Sequence, residues 1–89
     1  MIRVLVPTHL RSYTRGESEV DAVGTTLGAV LADLDARYPG IRFRIIDEQD
    51  RVRPHIKVFV GPEAAPGLDQ AVRAGDEVMI VAALSGGQA

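Results

Sequence analysis

The chain has no cysteine and no tryptophan. Disulfides, thiolate zinc sites and thiol nucleophiles are therefore excluded, and cysteine pairing says nothing about redox compartment. A large excess of either charge is also missing. Ten basic and twelve acidic residues give a net charge of −2, so the positive field that draws nonspecific nucleic-acid binding is absent. No apolar run approaches the ~20 residues of a membrane span, and Met1-Ile2-Arg3-Val4 opens into a strand pattern rather than a signal peptide. The expectation is a cytoplasmic protein with neither membrane nor nucleic acid as partner. What remains is average: 46% hydrophobic and 25% charged residues in 89 positions, the profile of one folded domain. Such a domain buries roughly 60–65% of its unfolded surface. That leaves a core of one or two layers with little room for an enclosed catalytic cleft, which argues against a self-contained enzyme.

Ile2 to Val6 is rich in β-branched residues and stops at Pro7, which cannot donate to a strand ladder, so it reads as a strand. His9 to Gly16 is polar and lacks helical period; Glu17 to Val23 alternates charged and apolar residues, so the two stretches suggest a long-looped hairpin. From Thr26 the period changes. Leu27, Val30, Leu31, Leu34 and Tyr38 recur every three or four residues, the stripe of an amphipathic helix capped by Thr25 or Thr26 and ended by Pro39-Gly40. Ile41 to Asp50 mixes apolar and charged residues without a clear period. Ile56 to Val60 is a second clear strand ending at Gly61-Pro62, Gly61 to Gly75 reads as a turn or short helix, and Glu77 to Ala82 is a last strand. This order predicts an α+β protein of β-grasp, ubiquitin-like layout: a mixed sheet of four or five strands with one main helix on one face. Residues 1–83 form the domain, and 84–89 a small-residue tail expected to be flexible. If Ile2, Val4 and Val6 face the helix, strand alternation turns Leu5, Phe59, Met79 and Val81 to the other side as a partner-binding patch. Periodicity alone also allows the two faces to be exchanged.

Three segments carry a family resemblance. Ala74-Gly75-Asp76-Glu77-Val78-Met79-Ile80-Val81 followed by Ala82-Ala83-Leu84-Ser85-Gly86-Gly87 resembles the C-terminal signature of the ubiquitin-like sulfur carriers of the MoaD/ThiS family. Pro7-Thr8-His9-Leu10-Arg11 and the helix from Thr26 through Leu34 and Tyr38 to Ile41 are similar to the CysO-type branch, which serves cysteine synthesis. The resemblance implies a protein cosubstrate rather than an enzyme. Its Gly87 carboxylate would be adenylated by a ubiquitin-activating-like adenylyltransferase using ATP, and a sulfur nucleophile would then displace AMP to leave a thiocarboxylate. Gly86 would be the clearance residue, since a threaded tail favours positions without a Cβ. A sulfur-acceptor enzyme, cysteine synthase-like or the molybdopterin synthase large subunit, would take the sulfur. Thiamine thiazole and specialised-metabolite sulfuration or tRNA thiolation are further acceptors, and a ubiquitin-like modifier or a noncovalent β-grasp interaction module are alternatives of another kind. The family pattern ends at the second glycine, whereas Gln88-Ala89 follow here. The resemblance therefore implies cleavage between Gly87 and Gln88 by a JAMM-type metallopeptidase, whose zinc belongs to that partner. No cofactor or metal is expected on this chain.

Other residues invite plainer readings. His9 and His55 are the only histidines, lie far apart in sequence and are expected in exposed turns rather than at a metal. Asp33, Asp35, Asp47, Glu48 and Asp50 read as solvated charge, because no nucleophile accompanies them. Arg42, Arg44, Arg51, Arg53 and Lys57 gather half of the basic residues in one segment. They serve either solubility or the docking of an acidic partner surface; only Phe43 and Phe59 are near, too few for a stacking nucleic-acid platform.

Overall fold

The structure is a computed structural model and describes residues 1–82. Five strands, β1 (Ile2–Leu5), β2 (Glu19–Ala22), β3 (Ile56–Val60), β4 (Glu63–Ala64) and β5 (Glu77–Ala82), form one mixed sheet in the order β2-β1-β5-β3-β4. β1 and β5 run parallel at its centre, and every other pair is antiparallel. One main helix, α1 (Leu27–Arg37), and a short helix, α2 (Ile41–Ile45), complete the layer that covers one face. The expected α+β β-grasp architecture is present with five strands.

α1 begins where Thr26, extended in backbone, accepts a hydrogen bond from the Ala29 amide at 3.2 Å. Its remaining orphan donors meet a neighbouring loop: the Leu27 amide donates to the Gln70 carbonyl and the Gly28 amide to Leu68, each at 2.8 Å. Leu27, Val30, Leu31 and Leu34 are completely buried against Val4, Val58, Val78 and Ile80 in one core cluster. The predicted stop also holds, with Tyr38 as the C-cap and Gly40 at φ +97°, a left-handed conformation that favours glycine.

Three local features depart from expectation. Gly61 to Gly75 contains no helix; it holds β4, paired with the end of β3, then turns that return Ala71 to a bridge with Thr26. Ile41 to Asp50 opens with α2, whose Ile41 and Ile45, one turn apart, are buried; it stops at Ile46, which is also buried but extended in backbone. The polar loop after β1 starts with a 3₁₀ turn, Thr8–Leu10, that drives Leu10 into the core. Thr14 closes this loop from within, its buried hydroxyl 2.7 Å from the Glu17 carbonyl.

Candidate functional site

The burial of alternate residues settles which sheet face is which. Ile2, Val4, Ile56, Val58, Val78 and Ile80 point into the core, while Leu5, Phe59, Met79 and Val81 lie on the opposite side. Leu5 pairs with Met79 and Met79 with Phe59, so residues from β1, β5 and β3 form one row across the sheet. Cross-strand neighbours of this kind sit ~4.5–5.5 Å apart. Leu5 and Phe59 are half-buried by this row, whereas Met79 and Val81 remain 38% and 37% exposed. Val81 lies one pleat further along β5, beside Lys57. On the other flank Arg3 sits between Glu19 at 3.6 Å and Glu77 at 4.0 Å. The result is an apolar row with a charged margin, the arrangement of protein interfaces.

β5 leads from this face to the C-terminus. Its last described residue, Ala82, pairs with Ile56, so the chain leaves the sheet from a central strand held on both sides. Gly86, Gly87 and Gln88, the residues expected to carry the tail chemistry and the cleavage point, lie outside the described residues, as do 84–89 as a whole.

Three of the five carboxylates expected as plain solvated charge, Asp33, Asp35 and Asp47, accept backbone amides and organise turns. Asp33 accepts the Val23 amide at 2.9 Å and pairs with Arg37; the Val23 hydrogen bond, helped by Arg37, holds its carboxyl below the ordinary value of 3.8. Asp35 accepts the amides of Gly40 and Arg42, each at 3.1 Å, fastening the start of α2. Asp47 accepts the amides of Gln49 and Arg51, and the Arg51 bond is the main cause of its lowered pKa. Among the described residues no three potential ligands gather to hold a metal, and no helix is long and apolar enough to cross a membrane.

A second surface feature escaped the sequence analysis. His9 and His55, both exposed, line one cleft of about 380 Å³ together with Tyr13, Phe43, Arg44 and Arg53. These residues come from three separated segments, so no local motif announces them; the only signal was the cluster of arginines.

The geometry is that of a β-grasp domain with an apolar outer face and a central C-terminal strand, the class of ubiquitin-like carriers. Residues 4–87 match the ThiS family. The chain belongs to that family. The sulfur carrier protein CysO of Mycobacterium tuberculosis is 40% identical over 97% of this chain and 98% of its own length. Its crystal structure superposes with a TM-score of 0.89 over 94% of this chain and 100% of that one, at 37% identity. The crystal structure of the Amycolatopsis orientalis BexX/CysO complex aligns with a TM-score of 0.90, covering 97% of this chain and 99% of that chain at 34% identity. SAMP1, the small archaeal modifier protein 1 of Haloferax volcanii, aligns with a TM-score of 0.75 at 28% identity, over 96% of this chain and 97% of its own.

Proposed function

We propose that the protein is a sulfur carrier that bears sulfur as a thiocarboxylate at Gly87 and supplies it to a biosynthetic enzyme, with cysteine synthesis favoured among acceptors. The observation that carries this reading is the family match, which spans the domain and ends at Gly87. The full-length similarity to a sulfur carrier protein supports it. A carboxylate is a poor acyl donor because oxide is its leaving group. Attack of the Gly87 carboxylate on ATP would release pyrophosphate and form an acyl-adenylate, and attack by a sulfur nucleophile would then expel AMP. Because an amide-linked Gly87 has no carboxylate, hydrolysis of the Gly87–Gln88 bond must come first. The partner's metallopeptidase zinc would supply the water nucleophile, and both ATP and zinc would be used by partner enzymes rather than by this chain, which acts as cosubstrate. The row Leu5–Met79–Phe59, with Val81, would dock the activating enzyme while the tail enters it.

The test is intact mass spectrometry after incubation with a cognate activating enzyme, ATP and sulfide. A chain ending at Gly87 is expected to gain the mass of sulfur replacing oxygen, and the chain retaining Gln88-Ala89 is expected to gain nothing until a metallopeptidase removes them. Equal activation of both chains would refute the precursor step; failure of the trimmed chain to load would refute the carrier reading. The similarity to the Haloferax volcanii small archaeal modifier protein 1 supports a second reading, a ubiquitin-like modifier attached by an isopeptide bond through the same glycine, which would leave high-mass adducts in cells.

A further inference from the structure

The cleft between the loop after β1 and α2 has chemistry that the docking face does not use. Arg44 donates through Nε to the Tyr13 hydroxyl at 2.8 Å, and Arg53 donates through Nε to the Phe43 carbonyl at 2.7 Å. Each guanidinium is thereby fixed by one nitrogen while its terminal N–H groups remain available. The Arg53 guanidinium also lies 4.5 Å from the centre of the Phe43 ring, which is itself 57% exposed. No carboxylate lines the cleft, and among the described residues neither Arg44 nor Arg53 has an acidic group within ion-pair distance. Asp47 feels Arg53 only at longer range, its own hydrogen bonds going to backbone amides. Arginine and aromatic side chains held in this way are the composition of binding hot spots, and a pre-positioned guanidinium loses little freedom when it takes a carboxylate.

The position of the cleft selects its occupant. His9 lines both this cleft and the neighbouring depression bordered by Ile80, Val81 and Ala82, and His55 precedes Ile56, the register partner of Ala82. The cleft thus adjoins the point where β5 ends. From Ala82 to Gly87 an extended chain spans about 17 Å, so a nucleotide reacting at Gly87 would lie well beyond the cleft, whereas the protein surface around the tail's entrance would meet it. An extended nucleic acid is disfavoured because Glu48 and Asp50 follow on the adjoining loop and the whole chain carries −2.

We propose that Arg44 and Arg53, with Phe43 and Tyr13, form a docking cleft for the carboxylate side chains of an acidic loop on the enzyme that receives the tail. The identity of that enzyme rests on the carrier reading; the acidic chemistry of the occupant does not.

The experiment has two arms. In the first, amide resonances of the full-length chain are followed at low salt while a hexaglutamate peptide is titrated, with hexaglutamine and a uridine hexanucleotide in parallel. Hexaglutamate is expected to shift His9, Tyr13, Phe43, Arg44 and Arg53 while leaving the surroundings of Arg15, Arg37 and Arg73 unmoved, and the paired change Arg44→Gln and Arg53→Gln is expected to weaken binding about tenfold. Shifts spread evenly over all arginines, undiminished binding by the paired variant, or tighter binding of the hexanucleotide at the cleft would overturn the proposal. Should the paired variant fail to fold, Arg44→Gln alone, at an exposed side chain, is expected to lose about threefold, and no loss would count equally against it. In the second arm, sulfur loading of the chain ending at Gly87 is expected to show a raised KM and unchanged kcat in the paired variant. An unchanged KM beside normal loading would overturn the docking assignment. Absence of loading in the unaltered trimmed chain would instead refute the carrier reading and leave the peptide titration to decide the cleft.

Discussion

Replacing Met79 by serine tests the proposed docking apart from folding, because Met79 is only partly buried by the fold. Full burial of a methionine side chain is worth ~1.5–3 kcal/mol. Met79 is 38% exposed between Leu5 and Phe59, so the fraction still available to a partner corresponds to ~0.6–1.1 kcal/mol of binding, or about three- to sevenfold in Kd. The remainder, ~1–2 kcal/mol, is already realised within the fold and would appear as a lower Tm, at about 4–8 °C for each kcal/mol in a domain of this size. Val78, the next residue on the same strand, has no exposed surface. Val78→Ser therefore loses its full transfer energy, leaves a cavity and buries a hydroxyl, and is expected to destabilise considerably more than Met79→Ser. The assay pairs thermal melting with calorimetric titration of the chain ending at Gly87 into its activating enzyme without ATP. Phe59→Ser, in the same row, is expected to weaken the complex while leaving the domain folded. Folded Met79→Ser and Phe59→Ser proteins that bind with unchanged Kd would refute docking through this row. Unfolding of Phe59→Ser would show that this half-buried ring is needed by the domain itself.

Two further predictions test the scaffold that presents these surfaces. A Cβ at Gly24 would lie 2.7 Å from the Val30 amide nitrogen and 2.9 Å from Ala29, so Gly24→Ala is expected to displace the start of α1 and cost ~1–3 kcal/mol in chemical denaturation; an unchanged midpoint would show that this junction yields freely. For Asp33, the lowered folded pKa means that its stabilisation is complete above the ordinary value of 3.8 and is lost as pH falls through the folded value. Asp33→Asn is therefore expected to melt below the unaltered chain at neutral pH, with the difference closing in acid. A gap that stays constant or widens below pH 3.8 would contradict the assignment.

The regular elements were legible because their periods are local. β-branched runs bounded by Pro7 and Gly61-Pro62 marked β1 and β3, and Leu27, Val30, Leu31 and Leu34 marked the buried stripe of α1. The shorter pieces obeyed longer-range demands. α2 is a single turn whose residues Ile41 and Ile45 are buried beneath α1, and β4 exists because Glu63 and Ala64 turn back onto Val60 and Phe59. Leu10 reads as one apolar residue in a polar loop until the 3₁₀ turn places it in the core. A stretch of three to five residues has too few positions to display a period, so tertiary contacts choose its conformation. The cleft of Arg44 and Arg53 was hidden for a related reason: its lining comes from three segments distant in sequence, the 3₁₀ turn and loop after β1, helix α2 and the loop before β3, which only the completed fold brings together.

Strand alternation made the outer apolar row legible, and it also ties that row to the register of the last strand. In β5 the residues Val78 and Ile80 fill the core while Met79 and Val81 occupy the outer face, so a slip of one residue would exchange the two sets. Such a slip is opposed on both sides. β1 fixes Val4 opposite Val78 in parallel register, β3 fixes Val58 opposite Ile80 in antiparallel register, and the Gly61 amide holds the Glu77 carbonyl at 2.8 Å where the strand begins. An edge strand would have lacked one of these constraints. Placing the last strand at the centre of the sheet sets the height at which the chain leaves the domain relative to both the Leu5–Met79–Phe59 row and the His9–His55 cleft. A partner gripping either surface would thereby receive the tail from a defined origin, as the proposed delivery of a C-terminal group into a narrow site demands.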